Sequence, residues 1–227
     1  MPVANDTMVF YFEKPRDFEY HAGQTIDLTL VDPRESDTEG NTRTFSLSSA
    51  PHERELAIST RLRESAFKRA LRDLSEGSEV SMEGPIGNFV LHEKAERPAI
   101  FLSGGIGVTP FRSMILDAIE RELPHQLHLF YANRRAEDAP HLHELQTLAA
   151  QNGTITFVPT LTQEPDSTWL GERGYVTANT LNKYAPDRES AIYYIAGPLA
   201  MVAAMHKMLL KAGVSNDDIR VDEFTGY

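Results

Sequence analysis

The run Ala99–Ser103, followed by Gly104-Gly105-Ile106-Gly107-Val108-Thr109-Pro110, limits the possible folds more than any other stretch of the chain. Ala99–Ser103 is apolar without polar alternation, so it reads as a strand buried on both faces. Such strands belong to parallel sheets covered by helices. Glycine punctuation comes next, and then a helical pattern from Pro110 to Glu122. This order places a helix start at the carboxyl end of a strand, where open α/β sheets bind ligands. Glycines let a backbone approach a pyrophosphate, and the helix start offers unpaired N–H groups and a positive dipole end. Pro110 suits the first helical turn. Taken alone, the segment also suits a tight strand-to-helix turn with no ligand.

The remainder of the second half keeps the same rhythm. Strands are expected at Gln126–Ala132, Ile155–Thr160, Ala191–Ala196 and Ile219–Asp222. Helices are expected at Leu142–Gln151, near Thr177–Tyr184, and at Leu199–Ala212. Strands alternating with helices predict a doubly wound parallel sheet. The first half reads differently. Thr7–Glu13, Thr25–Val31, Thr42–Ser48, Leu56–Arg61 and Glu79–Glu83 are short β-rich runs separated by turns, interrupted by one helix at Ser65–Leu74 with Ser65 as N-cap. That pattern predicts a small antiparallel barrel. The change falls in the charged stretch His92–Pro98, giving units 1–95 and 96–227. At 227 residues the chain is long enough for both.

Composition excludes several functions. The chain has no cysteine, which rules out disulfides and thiolate-held iron–sulfur clusters within it. A net charge of −11 argues against nucleic-acid binding. No apolar run reaches the ~20 residues of a membrane span. Its start shows no export signal, so a soluble, cytoplasmic protein is expected. His141 and His143 form the one His-x-His pair and read as surface histidines, not metal ligands; no metal is expected.

Three further segments carry chemistry. In Arg43-Thr44-Phe45-Ser46, a strand would point Arg43 and Phe45 to one face and Thr44 and Ser46 to the other. An arginine can grip phosphate oxygens bidentately, yet from these residues alone an ordinary barrel strand with a surface arginine and a core phenylalanine is the stronger reading. Gly84-Pro85-Ile86-Gly87-Asn88-Phe89 reads as a hairpin, or as a turn leaving N–H groups for phosphate. Ala196-Gly197-Pro198-Leu199-Ala200-Met201 is a second glycine turn after a strand.

In this order and spacing, Arg43–Ser46, Gly84–Phe89, Gly104–Pro110 and Ala196–Met201 together resemble the ferredoxin–NAD(P) reductase family over nearly the whole chain. The resemblance implies an FAD-binding barrel followed by a pyridine-nucleotide domain. It implies an enzyme that takes a hydride from NADH or NADPH onto FAD and passes electrons to a separate acceptor. That acceptor would be a small carrier such as ferredoxin or flavodoxin, or a partner oxygenase or haem protein. A non-catalytic FAD- or nucleotide-binding redox sensor is the alternative.

By position, the resemblance gives Arg43 the FAD pyrophosphate, Phe45 the isoalloxazine face and Ser46 the approach to flavin N5, with Thr44 beside them. Thr60 and Arg61 would line the flavin. Ser65, Ala66 and Phe67 would offer backbone N–H groups to its phosphates, and Gly84, Pro85 and Gly87 would close the site. Gly104, Gly105, Gly107, Thr109 and Pro110 would bind the nucleotide, with Thr109 nearest the nicotinamide. Gly197, Pro198 and Met201 form the second nucleotide turn, and Arg134, with Arg135 and Arg173, could supply positive charge for a 2′-phosphate. Ser46, Thr109 and Asp222 are the expected catalytic residues, and Phe224 or Tyr227 would shield the flavin.

The chain departs from the family at three positions: Phe45 stands where tyrosine is usual, Ala196 where a cysteine is frequent, and Asp222 where many members have glutamate. Thr160-Leu161-Thr162-Gln163-Glu164 lacks the Ser-Arg pair of NADPH users, which implies a preference for NADH. Asp32–Glu39 reads as a solvated acidic loop. Arg61, Arg63, Lys68, Arg69 and Arg72 read as a solvated basic face balanced by Glu64 and Asp73. Trp169, Met201, Met205 and Met208 read as packing residues.

Overall fold

The computed structural model describes residues 1–164 and 168–224. In the first half, Pro2–Ala4 (β1), Thr7–Glu13 (β2), Thr25–Leu30 (β3), Thr42–Ser46 (β4), Glu55–Arg61 (β5) and Val80–Ile86 (β6) build two three-stranded antiparallel sheets. Their orders are β1-β2-β5 and β4-β3-β6. A bridge between Leu47 and Ile58 ties the two sheets. Alternation in β3 sends Ile26, Leu28 and Leu30 inward, where they meet Leu47, Leu56 and Ile58. Helix Ala66–Arg72 (α1) closes this core with Phe67 and Leu71. Ser65 caps it as expected, its hydroxyl accepting the Lys68 N–H at 3.2 Å.

The second half is one parallel sheet. Its strands are Ala99–Gly104 (β7), Leu127–Asn133 (β8), Ile155–Leu161 (β9), Glu172–Arg173 (β10), Ile192–Pro198 (β11) and Ile219–Phe224 (β12), in the order β10-β9-β8-β7-β11-β12. Helices Thr109–Glu120 (α2) and Leu142–Gln151 (α3) pack on one face over Phe101, Tyr131 and Tyr194. Ala178–Tyr184 (α4) and Leu199–Lys211 (α5) cover the other over Ile100, Phe130 and Tyr193. Residues from both faces of β7 are fully buried, so the unalternating run follows from its central place. Strand order reverses between β7 and β11, and that switch point is where the two glycine turns lie. No helix among the described residues is long and apolar enough to cross a membrane.

One local expectation fails. Gly84-Pro85-Ile86 is not a turn: it continues β6, with Ile86 opposite Thr25. The strand tolerates Pro85 because β6 pairs only with β3 and lies at a sheet edge, where a missing N–H breaks no second ladder.

Candidate active site

Two of the three expected catalytic residues, Ser46 and Asp222, meet between the halves. Ser46 ends β4 and Asp222 lies in β12, and the Ser46 hydroxyl donates to Asp222 Oδ2 at 3.4 Å. Thus aspartate reaches the serine despite being one methylene shorter than glutamate. Burial pushes the Asp222 carboxyl above its ordinary range, and the Ser46 bond only partly opposes this. An acid whose folded pKa is raised favours the fold while protonated and loses that contribution as pH rises through the folded value. Asp222→Asn should therefore raise the melting temperature at pH 7, with the gain shrinking toward pH 4. Melts across that range check it, and an unchanged or lowered melting temperature at pH 7 contradicts the assignment.

At the switch point, β7 runs through a 3₁₀ turn, Gly105–Val108, into α2 with Pro110 in its first turn. The glycines here do different work. A Cβ on Gly107 would sit 2.3 Å from the Ala196 carbonyl oxygen, and one on Gly104 would sit 2.2 Å from Met201 Sδ. A Cβ on Gly197 would crowd the Gly104 backbone, at 3.0 Å from its carbonyl oxygen. These three are packing glycines that press the two turns together. Gly105 is different: its φ is +55° and a Cβ there would face open space. Thr109 is buried, and its hydroxyl donates to the Ile106 carbonyl at 3.1 Å.

Three further polar residues, one of which (Asn133) carried no expectation from the sequence, belong to neighbouring strands of the parallel sheet. Ser103, Asn133 and Thr160 lie at or near the carboxyl ends of β7, β8 and β9. Ser103 Oγ, Asn133 Nδ2 and Thr160 Oγ1 are buried and have no hydrogen-bond partner among the described residues. Such groups ordinarily find one. The available signal was a polar residue closing an otherwise apolar strand. Arg134 is exposed just beyond β8.

On the barrel side, Phe45 and Phe67 pack with ring centroids 5.9 Å apart, and the Arg43 guanidinium lies 5.2 Å over the Phe67 ring. Thr44 on the opposite face donates to Asp27. Thr60 is buried, and Arg61 donates to the Asp138 carbonyl at 3.3 Å. Gly87 follows β6 with φ +89°, its carbonyl accepting from Gln24 at 2.9 Å. Arg43 is already engaged: it pairs with Asp37 at 3.3 Å and Glu39 at 2.9 Å, and also donates to three carbonyls. The acidic loop is therefore not simply solvated. Glu35 likewise holds Arg69 at 2.6 Å, and Arg72 pairs with Asp73 at 2.9 Å. Phe224 is half-buried and packs against the core under α2 and α3. Tyr227 lies outside the described residues. Trp169 and Met205 pack into the cores as expected.

A second polar cluster joins the halves. Arg112 of α2 forks onto Glu144 at 2.7 and 2.9 Å, reaches Glu53 at 3.1 Å, and donates to the Ser48 carbonyl at 2.6 Å. Glu144 also accepts from His141 Nδ1 at 3.0 Å, and His141 Nε2 meets Ser59 Oγ at 2.9 Å. His141 is therefore not a surface histidine, as its side chain is only 7% exposed. The cause is nonlocal, because β5 brings Ser59 against it. Burial works against the Glu144 charge, but His141 and Arg112 prevail and hold its pKa down at about 2. Among the described residues, no group of three or more His, Asp or Glu is placed to hold a metal.

Comparison with known proteins agrees with this fold. Residues 101–207 match the family model of the oxidoreductase NAD-binding domain. The reductase component of propane 2-monooxygenase from Rhodococcus jostii is 30% identical over 220 residues, which cover 93% of this chain and 57% of that protein. The chain carries an oxidoreductase NAD-binding domain, and its likeness to such reductases is consistent with the ferredoxin–NAD(P) reductase family. A polypeptide of the Na(+)-translocating NADH-quinone reductase from Klebsiella pneumoniae is 31% identical over 158 residues, covering 67% of this chain and 39% of that polypeptide. The chain thus spans roughly half or less of the length of these relatives. Among solved structures, an Amycolatopsis cytochrome P450 reductase superposes with a TM-score of 0.84 at 24% identity, covering 100% of this chain and 67% of that one. A ferredoxin NADP+ reductase from Neisseria gonorrhoeae gives a TM-score of 0.79 at 19% identity, covering 96% and 92%. At these identities the structures speak to the family's fold: antiparallel sheets followed by a six-stranded parallel sheet.

Proposed function

We propose that this reductase-family chain is a cytoplasmic FAD-dependent oxidoreductase that oxidises NADH or NADPH and passes electrons to a separate acceptor. Residues 1–95 would form the flavin unit and residues 96–227 the nucleotide unit. The observation that carries the reading is the Ser46–Asp222 pair, made by residues far apart in sequence and set between the barrel edge and the switch point. Features along the strand ends of the parallel sheet suit a dinucleotide. Gly105 leaves open space at the mouth of α2, and Ser103, Asn133 and Thr160 hold buried polar atoms without partners among the described residues.

FAD, when bound, supplies the acceptance of a hydride and the onward release of electrons. The chain supplies binding, orientation and exclusion of water. Arg43 and the Ala66 N–H would hold the diphosphate. Phe45 would carry one ring face, with Thr44, Thr60, Arg61, Ser65, Phe67, Gly84, Pro85 and Gly87 shaping the site. Gly104, Gly107, Gly197, Pro198 and Met201 keep the two turns in register. Thr109 and Pro110 fix the start of α2 beside the nicotinamide position, and Arg134 flanks the nucleotide's far end. Asp222 orients the Ser46 hydroxyl. Phe224 or Tyr227 would cover the ring.

NADH is the preferred donor in this reading. Glu164 accepts the Ala136 N–H at 3.0 Å between the ends of β8 and β9, and its charge would repel a 2′-phosphate. The acceptor is a small electron-carrier protein or a partner oxygenase, since the relatives include a monooxygenase reductase component. Flavin-fluorescence titration tests the assignment. The chain should bind FAD in a 1:1 complex, and Arg43→Ala should weaken it by roughly tenfold or more, the scale of a charged hydrogen bond. An unchanged affinity removes Arg43 from the site.

A further inference from the structure

The loop between β3 and β4 turns its acids inward onto the barrel's cations. Glu35 takes Arg69, while Asp37 and Glu39 take Arg43. Asp37 does more than pair. Its Oδ1 also accepts the Glu39 N–H at 3.0 Å, and its Oδ2 accepts the Ala66 N–H at 3.2 Å. One carboxylate therefore occupies both donors assigned above to the flavin diphosphate, the Arg43 guanidinium and the Ala66 amide. A carboxylate and a phosphate demand the same donors from such a site. Two anions at that separation repel, so they cannot share it. Arg43 Nη1 also donates to the carbonyls of Glu39, Gly40 and Thr42, at 3.0, 3.0 and 2.8 Å. Beside the loop lies a cavity of about 360 Å³ lined by Val31, Asp32, Glu35, Leu74, Ser78 and Glu79 among others, so the loop has room to shift there.

We infer that Asp37 is an internal surrogate for the flavin diphosphate, and that the loop from Asp32 to Gly40 is a latch FAD must displace to bind. The inference rests on the flavin reading. It makes Asp37 a determinant of affinity and of flavin type. Flavins that carry phosphate compete with it, whereas riboflavin, which has none, does not. Glu39 assists from the more exposed side, at 74% side-chain exposure against 32% for Asp37.

The test titrates the full chain, D37N and D37N/E39Q with FAD and with riboflavin, following flavin fluorescence. It also follows hydrogen–deuterium exchange of residues 32–41 with and without FAD. D37N should bind FAD roughly fivefold tighter or more, allowing for the modest strength of an exposed ion pair. The double variant should bind it at least as tightly, and riboflavin affinity should stay within about twofold. In the parent chain, FAD should speed exchange in the loop. If the parent binds FAD but D37N binds it equally or more weakly, or if FAD slows exchange in the loop, the latch is wrong and the flavin reading survives. If no form binds FAD or riboflavin, the flavin reading fails and the latch with it.

Discussion

Arg112→Met should destabilise the protein by about 3 kcal/mol, the lower edge of the range for removing one partner of a buried ion pair. Arg112 is 11% exposed and is the cation between Glu53 and Glu144, which sit on different halves. Without it both carboxylates face one another across the joint, with His141 and the Ala50 N–H left as donors among the described residues. The figure stays at the lower edge because Glu144 remains 35% exposed and water can reach it. Adding Glu144→Leu should restore part of the loss by removing the stranded charge. The pH dependence follows from the depressed Glu144 pKa. Its contribution is present above the unfolded value of 4.5 and is lost as pH falls toward about 2. Urea unfolding of parent, both single variants and the double variant measures the coupling. Losses that simply add would mean that the two residues do not act together.

Gly107→Ala should cost about 1–3 kcal/mol or more, because the obstacle is backbone and cannot rotate away. The new Cβ would overlap the Ala196 carbonyl at 2.3 Å and the Gly197 Cα at 2.6 Å, forcing the turn off β11. Gly105→Ala makes the informative contrast. It meets nothing within 4 Å, so its cost is the left-handed backbone at φ +55°, about 1–2 kcal/mol. Gly105→Ala should therefore stay folded while losing affinity for nucleotide, whose path the methyl group enters. Gly107→Ala should lose both stability and affinity. Thermal melts with and without NADH separate the two, and equal melting temperatures for the variants would contradict the distinction.

Much of the fold was legible because its signals are local. The strand Thr7–Glu13 and the helix Leu142–Gln151 match their expected bounds, since alternation and a 3.6-residue apolar stripe are properties of the segments themselves. Elements held only by partners were not visible. Pro2–Ala4 is a strand because β2 pairs with it, and Glu172–Arg173 because β9 does. Gly84-Pro85 carries a strong turn signal that an edge position overrides. The site divides the same way. The glycine turns announce themselves by composition, but which glycine packs and which opens to space depends on β11 and Met201. Ser46 and Asp222 were expected together only through the family resemblance. The Asp37 contacts and the burial of His141 arise from strands and loops far away in sequence.

Reductase chemistry is tested most directly by mixing FAD-loaded protein with NADH under anaerobic conditions and following flavin absorbance near 450 nm by stopped flow. Rapid bleaching is expected, faster with NADH than with NADPH, with recovery of the yellow colour when an electron acceptor is added. Protein that binds FAD stoichiometrically, yet stays yellow with both nucleotides, would contradict a reductase and leave a flavin-binding module without hydride chemistry.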